Sequence, residues 1–448
     1  MLASRSLGED RRMNNGDTDA KSKQSHYHPI EHIEGEYQYI NILVFSPDEF
    51  RNDNEENEYE KKFLPESKPP KGGIPRSRNP PGHYRHKERM EWEESYENEN
   101  EPLTKFLQHG DSVQCHPMPK KRILVTGGAG FIGSNFCNAH SEAYDIIALD
   151  NLLLGDQQHL SPSVKFVEGD AANRETLDAL GQFDYIVHFA GTSSAPMFHK
   201  DIVDSYRNSI LSFLEVLEYA NRSGAKKVLF ASTSSLYGNT TPPLTEDQPP
   251  VPTNHYSVTK IAMENISVCY HHTHPALEII GFRFMSVYGP HEEHKGVYAN
   301  LISQFVWGMM RNEQPIIYGD GTQTRDFTNV IDVVQGITLA METDKHIGND
   351  IFNIGTGTPL AVLELVRVIN KVIGTEIKPR HIENPVTENY IRTQQADITK
   401  IQSTLGFAQS ISLEDGIRHL VEEHRNKNQK STRNRTHEAN AIPKKGPP

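Results

Sequence analysis

The segment HYSVTK, residues 255–260, places two side chains suited to proton transfer on one face of a helix. Tyr256 and Lys260 are four residues apart, and side chains at this spacing are neighbours on a helix surface. A tyrosine hydroxyl ordinarily has a pKa of about 10, which is too high for a base at neutral pH. A neighbouring ammonium group favours the phenolate and lowers that pKa. The pair therefore indicates a tyrosine that exchanges a proton with a substrate.

Hydroxyl side chains lie upstream of this pair, in the segment ASTSSLYG at residues 231–238. The apolar run KKVLFAS predicts a strand, and its carboxyl end is where ligands bind in open α/β sheets. A Tyr-x-x-x-Lys pair taken alone is more often a surface pair than a catalytic one. We interpret it as catalytic because strand-end hydroxyls and a glycine-rich segment, RILVTGGAGFIGSN, precede it in the chain.

Three glycines of that segment, Gly127, Gly130 and Gly133, follow a predicted strand and open a predicted helix. Glycine at these places allows a tight turn and lets backbone N–H groups approach a pyrophosphate. Asp150 ends the next predicted strand, about twenty residues on, where a carboxylate binds a ribose 2′-hydroxyl. The pattern predicts NAD rather than NADP, because a 2′-phosphate would be repelled, and the cationic nicotinamide would further lower the pKa of Tyr256. The alternative, a mononucleotide phosphate loop, lacks the Gly-Lys-Ser/Thr ending.

The elements that position these residues alternate between strand and helix over residues 119–424. Seven short apolar runs predict strands: RILVTG, DIIALD, KFVEG, DYIVHFAG, KKVLFAS, LEIIGFRF and DIFNIG. Continuous apolar runs suit parallel strands that are covered on both faces. Helical stretches lie between them, and SILSFLEVLEYANRSG ends on Gly224 as a helix terminus does. The alternation predicts an α/β fold, a Rossmann doubly wound parallel sheet with a smaller interleaved α/β substrate domain.

The domain organisation follows from composition. Residues 1–118 are acidic and polar, so we expect them to be mostly disordered, apart from a possible short strand in YQYINILVF. A further hypothesis is that translation starts at Met118, because the first predicted strand follows directly in MPKKRILVTGG. We assign the remaining predicted parts as follows: residues 119–290 to the NAD-binding domain, with 326–355 returning to it; residues 291–325 and 356–423 to the substrate domain; and residues 424–448 to a disordered basic tail.

Charge and composition exclude several classes of protein. The formal net charge is −13, which disfavours non-specific binding to the phosphates of nucleic acids. No run of eighteen apolar residues occurs, so we expect no membrane span. Cys115, Cys137 and Cys269 are odd in number and far apart, which indicates reduced thiols and a cytoplasmic protein. The segment HHTH, residues 271–274, has no companion ligands at metal-site spacing, so we expect no metal.

Residues 121 to about 420 resemble the extended short-chain dehydrogenase/reductase family, in particular nucleotide-sugar epimerases and dehydratases of the UDP-glucose 4-epimerase type. The motifs that carry the resemblance stand in the family's order: TGGAGFIGS, LDNLLLG, GDAAN, HFAG, STSSLYG, YSVTK, RFMSVYGP, GDGTQTRDFTNVIDVV and FNIGTG. The resemblance implies catalytic roles for Thr233, Tyr256 and Lys260. It implies NAD contacts from Gly127, Gly130, Phe131, Ile132, Gly133, Asp150, Asn151, Asp170, Ala171, Ala190, Gly191, Tyr256 and Lys260.

The resemblance also implies contacts with the nucleotide-sugar substrate. The residues concerned are Ser193, Ser286, Lys295, Asn300, Leu301, Tyr318 and Arg325. Tyr318 lies where the nucleobase packs in the family, and Arg325 matches a diphosphate-binding arginine, whose guanidinium meets phosphate oxygens in a bidentate fork. The alternative for Arg325 is an ion pair with Asp326 or Asp332. The family's late Arg-x-Gly-Asp motif is absent, and Arg392 is a candidate substitute.

The residues after Thr233 bear on the reaction. Family dehydratases carry Asp-Glu there and related decarboxylases commonly carry Glu at the second position, whereas this chain has Ser234 and Ser235. We therefore expect 4-epimerisation of a UDP-sugar through a transient 4-keto intermediate. The alternatives are a decarboxylase, an ADP-heptose 6-epimerase with Lys295 as a second acid/base, and a non-catalytic NAD-binding scaffold or sensor. The resemblance also implies a homodimer, paired through the helices at residues 205–220 and 256–272.

Overall fold

The structure is a computed structural model that describes residues 120–384 and 390–440, with side chains as far as Lys427. The predicted disordered extension at residues 1–118 and the possible strand at residues 37–45 lie outside the described residues. In the described part of the chain, no helix is long and apolar enough to cross a membrane.

A seven-stranded parallel sheet forms the centre of the molecule. Its strands are β1 (Arg122–Thr126), β2 (Asp145–Asp150), β3 (Lys165–Glu168), β4 (Tyr185–His188), β5 (Lys227–Thr233), β6 (Glu278–Phe284) and β11 (Asn349–Ile354). They lie side by side in the order β11-β6-β5-β4-β1-β2-β3, and every neighbouring pair is parallel. All seven are the strands predicted from apolar runs. The order reverses at β1, as in the doubly wound Rossmann fold, so the predicted fold class is confirmed.

Helices cover both faces of this sheet. On one face, α1 (Phe131–His140), α7 (Val330–Glu342) and α9 (Thr399–Leu405) bury side chains against the strands. The other face is covered by α2 (Arg174–Asp178), α4 (Ser212–Ser223) and α5 (His255–Thr273). A short helix, α3 (Ile202–Tyr206), continues through a π-helical turn into α4. As predicted, α4 ends at Gly224, whose φ of 76° is the left-handed conformation that glycine adopts without strain.

A second apolar core lies at the carboxyl end of the sheet. Its helices are α6 (Leu301–Met310), α8 (Val362–Ile373) and α10 (Leu413–Asn440). Short strands accompany them: β7 (Ser286–Tyr288), β8 (Ile316–Tyr318), β9 (Thr324–Arg325), β10 (Phe327–Asn329), β12 (Leu360–Ala361) and β13 (Arg380–Ile382). They pair as β7 with β10, β8 with β13, and β9 with β12. The chain thus passes repeatedly between the sheet and this second unit, and the boundaries that we gave the two domains stay a prediction.

The end of the described chain differs from the sequence-based expectation of a disordered tail from residue 424. Helix α10 runs as far as Asn440, so the backbone of residues 424–440 is helical. Two features explain this: the stretch holds neither glycine nor proline, and Lys427 is fixed by carboxylates, with its Nζ 2.9 Å from Glu293 Oε2 and 2.7 Å from Glu423 Oε1. Residues 441–448 lie outside the described residues.

Candidate active site

A cavity of about 410 Å³ opens where the carboxyl ends of the central strands face the second unit. Twenty of the twenty-one site residues predicted from the sequence line it, and Tyr318 is the exception. The twenty are Gly127, Gly130, Phe131, Ile132, Gly133, Asp150, Asn151, Asp170, Ala171, Ala190, Gly191, Ser193, Thr233, Tyr256, Lys260, Ser286, Lys295, Asn300, Leu301 and Arg325. Residues that are far apart in the sequence therefore meet in one cavity, while the role of each stays a prediction.

The glycine turn leaves no room for side chains. Gly127 has a φ of +69°, and a Cβ there would lie 2.6 Å from the backbone nitrogen of Ala190. A Cβ on Gly133 would lie 2.1 Å from the carbonyl oxygen of Gly127. Helix α1 begins directly after this turn, so its free N–H groups and the positive end of its dipole face the cavity. This cradle fits a pyrophosphate.

Asp150 stands at the end of β2, where the cavity meets the glycine turn. Its Oδ2 accepts a hydrogen bond of 3.1 Å from the N–H of Ala129, and its Oδ1 accepts one of 2.8 Å from the N–H of Leu152. Burial raises the pKa of Asp150, and these backbone hydrogen bonds oppose the rise. A carboxylate has about four acceptor positions, so the fixed group keeps capacity for ribose hydroxyls. The residues present therefore fit a dinucleotide with a free 2′-hydroxyl.

The candidate catalytic residues come together from β5 and α5. Thr233 ends β5, and its Oγ1 accepts a hydrogen bond of 3.1 Å from the N–H of Ser235, which fixes the hydroxyl at the strand end. The Thr233 side chain also acts on the Tyr256 hydroxyl, in the direction that lowers the pKa of Tyr256. Lys260 Nζ donates to the carbonyl oxygen of Ala231 over 2.7 Å and lies 5.9 Å from the centroid of the Tyr256 ring.

A capping box explains why α5 begins where it does. The Asn254 side chain accepts a hydrogen bond of 2.9 Å from the N–H of Ser257, and the Ser257 hydroxyl accepts one of 3.3 Å from the N–H of Asn254. This reciprocal pair fixes the first turn of the helix. Tyr256 lies in that turn and Lys260 one turn later, so the cap sets the position of both side chains.

Burial dominates the electrostatics of this pair. Burial raises the pKa of Tyr256, and the side chain of Thr233 acts in the opposite direction. Burial lowers the pKa of Lys260 to about 8, while the carboxylate of Glu264 opposes this change. The lowered pKa that the sequence predicted for Tyr256 is therefore not produced by the protein's own groups. The reason is that Tyr256 is desolvated while Lys260 directs its ammonium to a backbone carbonyl.

Lys295 lines the cavity as one member of a buried ion pair. Its Nζ is 3.1 Å from Oε1 of Glu292, whose side chain is fully buried. The same carboxylate accepts hydrogen bonds from the N–H of Asn300 over 2.7 Å and from the Ser303 hydroxyl over 2.6 Å. Lys295 Nζ also lies 5.3 Å above the ring of Phe131 in the glycine turn. Lys295 is thus a fixed cation between the two units rather than a solvated loop residue.

The start of α6 forms another anion-binding feature of the cavity. Asn300 is the N-cap of this ten-residue helix, and its side chain accepts a hydrogen bond of 3.0 Å from the N–H of Ile302. Leu301 is the first helical residue. A capped helix N-terminus that opens into a cavity favours negatively charged groups.

Arg325, at the end of β9, has no ion pair with either of the carboxylates proposed as alternative partners. Asp326 accepts hydrogen bonds from the backbone of residues 356, 357 and 396, and Asp332 accepts them from Ser410 and Ile411. Arg325 instead donates to the carbonyl oxygen of Thr324 over 2.8 Å and stacks 5.7 Å from the Tyr390 ring. Burial lowers the pKa of Arg325. A partly buried guanidinium that pairs with no carboxylate among the described residues is suited to an anionic ligand.

Two predicted positions do not lie in the cavity wall. Tyr318 ends β8, where its backbone carbonyl accepts a hydrogen bond of 3.1 Å from Gln323, and it is absent from the lining among the described residues. Arg392 is exposed and contributes its backbone carbonyl to Thr324 over 2.8 Å. Sequence analysis missed Gln394, which lines the cavity close by and is 7% exposed. No motif around Gln394 indicated it.

The histidines of HHTH lie at the end of α5. His271 Nδ1 contacts the carbonyl oxygen of Leu277 at 2.8 Å, and His274 Nδ1 contacts that of Tyr270 at 3.2 Å. Among the residues that the structure describes, no group of three or more His, Cys, Asp or Glu side chains is arranged to hold a metal ion.

Known proteins share both this sequence and this fold. The NAD dependent epimerase/dehydratase family matches residues 123–355. A putative UDP-glucose 4-epimerase of Methanocaldococcus jannaschii is 32% identical over 317 residues, which are 68% of this chain and 99% of that protein. A UDP-N-acetyl-alpha-D-glucosaminuronate decarboxylase of Bacillus cytotoxicus is 28% identical over 320 residues, 68% of this chain and 97% of the relative. The solved structure of UDP-glucose 4-epimerase with UDP-glucose from Thermotoga maritima has a TM-score of 0.64 and 31% identity, and the match covers 68% of this chain and 99% of that one.

The chain therefore belongs to the NAD dependent epimerase/dehydratase family. It is an NAD-dependent enzyme of the nucleotide-sugar epimerase/dehydratase type, which confirms the family and the cofactor predicted from the motifs. Epimerases and a decarboxylase are similar to this chain to nearly the same degree. The similarity thus identifies the class of enzyme but leaves the reaction to the residues of the site.

Proposed function

We propose that this enzyme interconverts the two C4 epimers of a UDP-sugar through a transient 4-keto sugar. The observation that carries the proposal is the composition of the catalytic turn. Thr233 and Tyr256 both line the cavity, and the two residues that follow Thr233 in its wall are Ser234 and Ser235. This turn supplies a proton acceptor at Tyr256 and no carboxylate for a further elimination, and 4-epimerisation needs only the former.

The residues of the chain divide the work of this reaction. The chemistry that bound NAD would supply is reversible hydride transfer with C4 of the sugar. Tyr256 takes the proton of the sugar 4-hydroxyl as the C4–H bond breaks, and Thr233 holds the Tyr256 hydroxyl in place. After the 4-keto sugar has turned its opposite face to the cofactor, Tyr256 gives the proton back to the C4 oxygen. Lys260 supplies positive charge beside the tyrosine while its pKa of about 8 keeps it protonated at neutral pH.

The diphosphate of the substrate would occupy the cationic side of the cavity. The N-terminus of α6 at Asn300 and Leu301, the guanidinium of Arg325 and the ammonium of Lys295 all line that region. We propose that these groups hold the two phosphates, because buried cations and helix N-termini both stabilise phosphate charge. Tyr318 lies outside the cavity wall, so we propose for it a contact with the nucleobase and none with the diphosphate.

The other candidate functions have less support. Decarboxylases are among the relatives, but they commonly carry Glu where this chain has Ser235. A heptose 6-epimerase would use Lys295 as an acid/base, whereas its ammonium is held by Glu292 at 3.1 Å. A non-catalytic scaffold is disfavoured because Thr233, Tyr256 and Lys260 are all present in the cavity wall. We also propose a cytoplasmic location, because Cys137 and Cys269, the two cysteines in the described part of the chain, are not joined by a disulfide.

Incubation of the NAD-loaded full chain with single UDP-sugars tests the proposal. The set is UDP-glucose, UDP-galactose, UDP-GlcNAc and UDP-glucuronate, and NMR resolves the products. We expect one C4-epimer pair to interconvert from both directions without net release of NADH. Loss of CO2 from UDP-glucuronate with formation of a pentose product would instead establish a decarboxylase. Absence of any product from all four sugars would contradict the proposed reaction.

A further inference from the structure

Gln394 joins two elements of the cavity wall. Its Nε2 donates a hydrogen bond of 2.7 Å to the Ser234 hydroxyl, directly after the catalytic Thr233. Its Oε1 accepts one of 3.2 Å from the Ser286 hydroxyl, at the start of β7. A single amide thus connects Ser234, next to the end of β5, with Ser286 of β7.

The backbone on both sides of Gln394 is fixed. The carbonyl of Arg392 accepts a hydrogen bond of 2.8 Å from Thr324, and the N–H of Ala396 donates one of 3.0 Å to Oδ2 of the buried Asp326. The carbonyl of Gln395 accepts a bond of 2.8 Å from Leu244. Residues 392–396 therefore form a strap whose position is set by backbone contacts, and Gln394 is held in the cavity wall by side chain and main chain together.

The two hydrogen bonds leave the amide of Gln394 with unused capacity. A glutamine amide has two N–H donors and two carbonyl lone pairs, and the contacts within the described residues use one of each. One N–H and one lone pair thus remain for a ligand in the cavity. This combination matches a hydroxyl group, which both donates and accepts, and suits a carboxylate less, since a carboxylate only accepts.

We propose that Gln394 is a specificity-determining residue that hydrogen-bonds to a sugar hydroxyl of the substrate. The inference rests on the proposed function, because it takes the ligand in this part of the cavity to be the sugar of a UDP-sugar. It names the substrate class more narrowly, as a UDP-sugar with a hydroxyl rather than a carboxylate opposite this amide. Gln394 and the two serines provide the fixed polar wall against which that hydroxyl is recognised.

The test combines a variant with a set of substrate analogues. Gln394→Leu removes both polar groups of the amide at similar size, and Gln395→Leu is the matched control, because Gln395 directs its amide to the carbonyl of Gly357 over 2.9 Å and does not line the cavity. Calorimetry measures the binding of UDP, UDP-glucose and the 2-, 3- and 6-deoxy analogues of UDP-glucose to the NAD-loaded full chain. Thermal unfolding of both variants verifies that they fold.

We expect Gln394→Leu to weaken the binding of UDP-glucose by about tenfold, the ordinary worth of one neutral hydrogen bond. The binding of UDP should stay the same, and one deoxy analogue should bind wild type and Gln394→Leu equally well. Equal weakening of UDP and of every sugar, or no change for UDP-glucose, would overturn the inference. The epimerisation assay tests the proposed reaction separately. If sugars bind but none is converted, the proposed reaction is refuted, and the comparison of binding between the variants and the deoxy analogues still decides the role of Gln394.

Discussion

At the scale of single residues, Tyr256 and Lys260 are held in an environment that disfavours both of their charged forms. Burial raises the pKa of the tyrosine and lowers that of the lysine to about 8. Such opposed shifts are typical of acid–base pairs in active sites. The protein itself thus keeps Tyr256 protonated at neutral pH, and the positive charge of the oxidised nicotinamide is the remaining group able to favour its phenolate.

Replacement of the tyrosine tests its role in proton transfer. In Tyr256→Phe the ring remains and the hydroxyl is lost, so we expect kcat for epimerisation to fall by about 10²–10⁴-fold with unchanged NAD content. The matched control is Tyr206→Phe, since the Tyr206 hydroxyl contacts Nδ1 of His255 at 3.0 Å and lies outside the cavity wall. Comparable losses of kcat in both variants would argue against Tyr256 as the proton carrier.

Sequence reasoning at this scale depended on motifs. The glycine turn and the Tyr256–Lys260 pair could be recognised because fixed spacing along the chain reflects fixed geometry. Gln394 could not, because its contacts are with Ser234 and Ser286, more than a hundred residues away, and nothing in RTQQAD marks one glutamine as different from the next. The effect of burial, which raises the pKa of Tyr256, was not predicted, because desolvation depends on tertiary packing and the spacing of two residues does not reveal it.

At the scale of elements, a histidine cluster (His159, His291 and His294) joins the two units beside the cavity. His159 ends a 3₁₀ turn after β2, while the other two come from the loop after β7. The rings of His159 and His291 stack with centroids 4.5 Å apart, and His294 lies 5.0 Å from His159. Burial lowers the pKa of all three, to about 4 for His291 and His294. The charged groups that face the cluster are Asp156, Glu293, Lys295 and Lys427.

The cluster predicts a loss of stability in mild acid. An ordinary histidine has a pKa of 6.5, so between about pH 6.5 and 4 the unfolded chain binds more protons than the folded one. The contribution of these histidines to the free energy of unfolding should therefore be fully present above pH 6.5. It should decrease as the pH is lowered through this window. Because the side chains are partly exposed, we expect these histidines to account for roughly 1–2 kcal/mol between pH 7 and 5.

Urea unfolding of wild type and of the double variant His291→Asn/His294→Gln at pH 7 and pH 5 measures how much these histidines contribute to the pH dependence of the free energy of unfolding. Asparagine suits position 291, where φ is 68° and the backbone is left-handed. The difference between the two pH values should be smaller in this variant than in wild type. His272→Gln, at an exposed position on α5, should leave the difference unchanged. A pH dependence identical in all three proteins would contradict the assignment.

At the scale of the whole molecule, the parallel sheet was the most predictable feature. Each of its seven strands is a short apolar run, because strands covered on both faces need apolar side chains throughout. The helical end of α10 was not predicted, since its polar sequence gives no amphipathic pattern and its anchor, Lys427, depends on Glu293 from a distant loop. The position of the cavity could be predicted from the sequence only through motifs. The glycine turn and the Tyr256–Lys260 pair belong to one wall of the cavity, and residues 295–325 contribute to the opposite wall.

The outer surface of the molecule bears on its assembly. Helices α3, α4 and α5 leave apolar side chains exposed, among them Val203 at 73%, Val268 at 56% and Ile202 at 42%. The helices lie side by side, with the Tyr270 hydroxyl donating to the carbonyl of Leu217 over 3.2 Å. We propose that a second copy of the chain covers this face, as the resemblance to dimeric relatives implied, because paired helices from two copies would bury these side chains in a four-helix bundle.

Two charges placed on this face should separate the copies. Wild type is expected to scatter light as twice the chain mass of 50.6 kDa, and Val203→Glu/Val268→Glu as a single chain, because carboxylates buried in an apolar interface without partners are strongly unfavourable. Ile331→Glu is the control: Ile331 is 42% exposed, and its helix α7 packs on the opposite face of the sheet, so this variant should remain dimeric. Retained NAD would verify that each protein is folded. A wild type that is monomeric at every concentration would contradict the proposed pairing, and a dimer unaffected by the double variant would place the interface elsewhere on the surface.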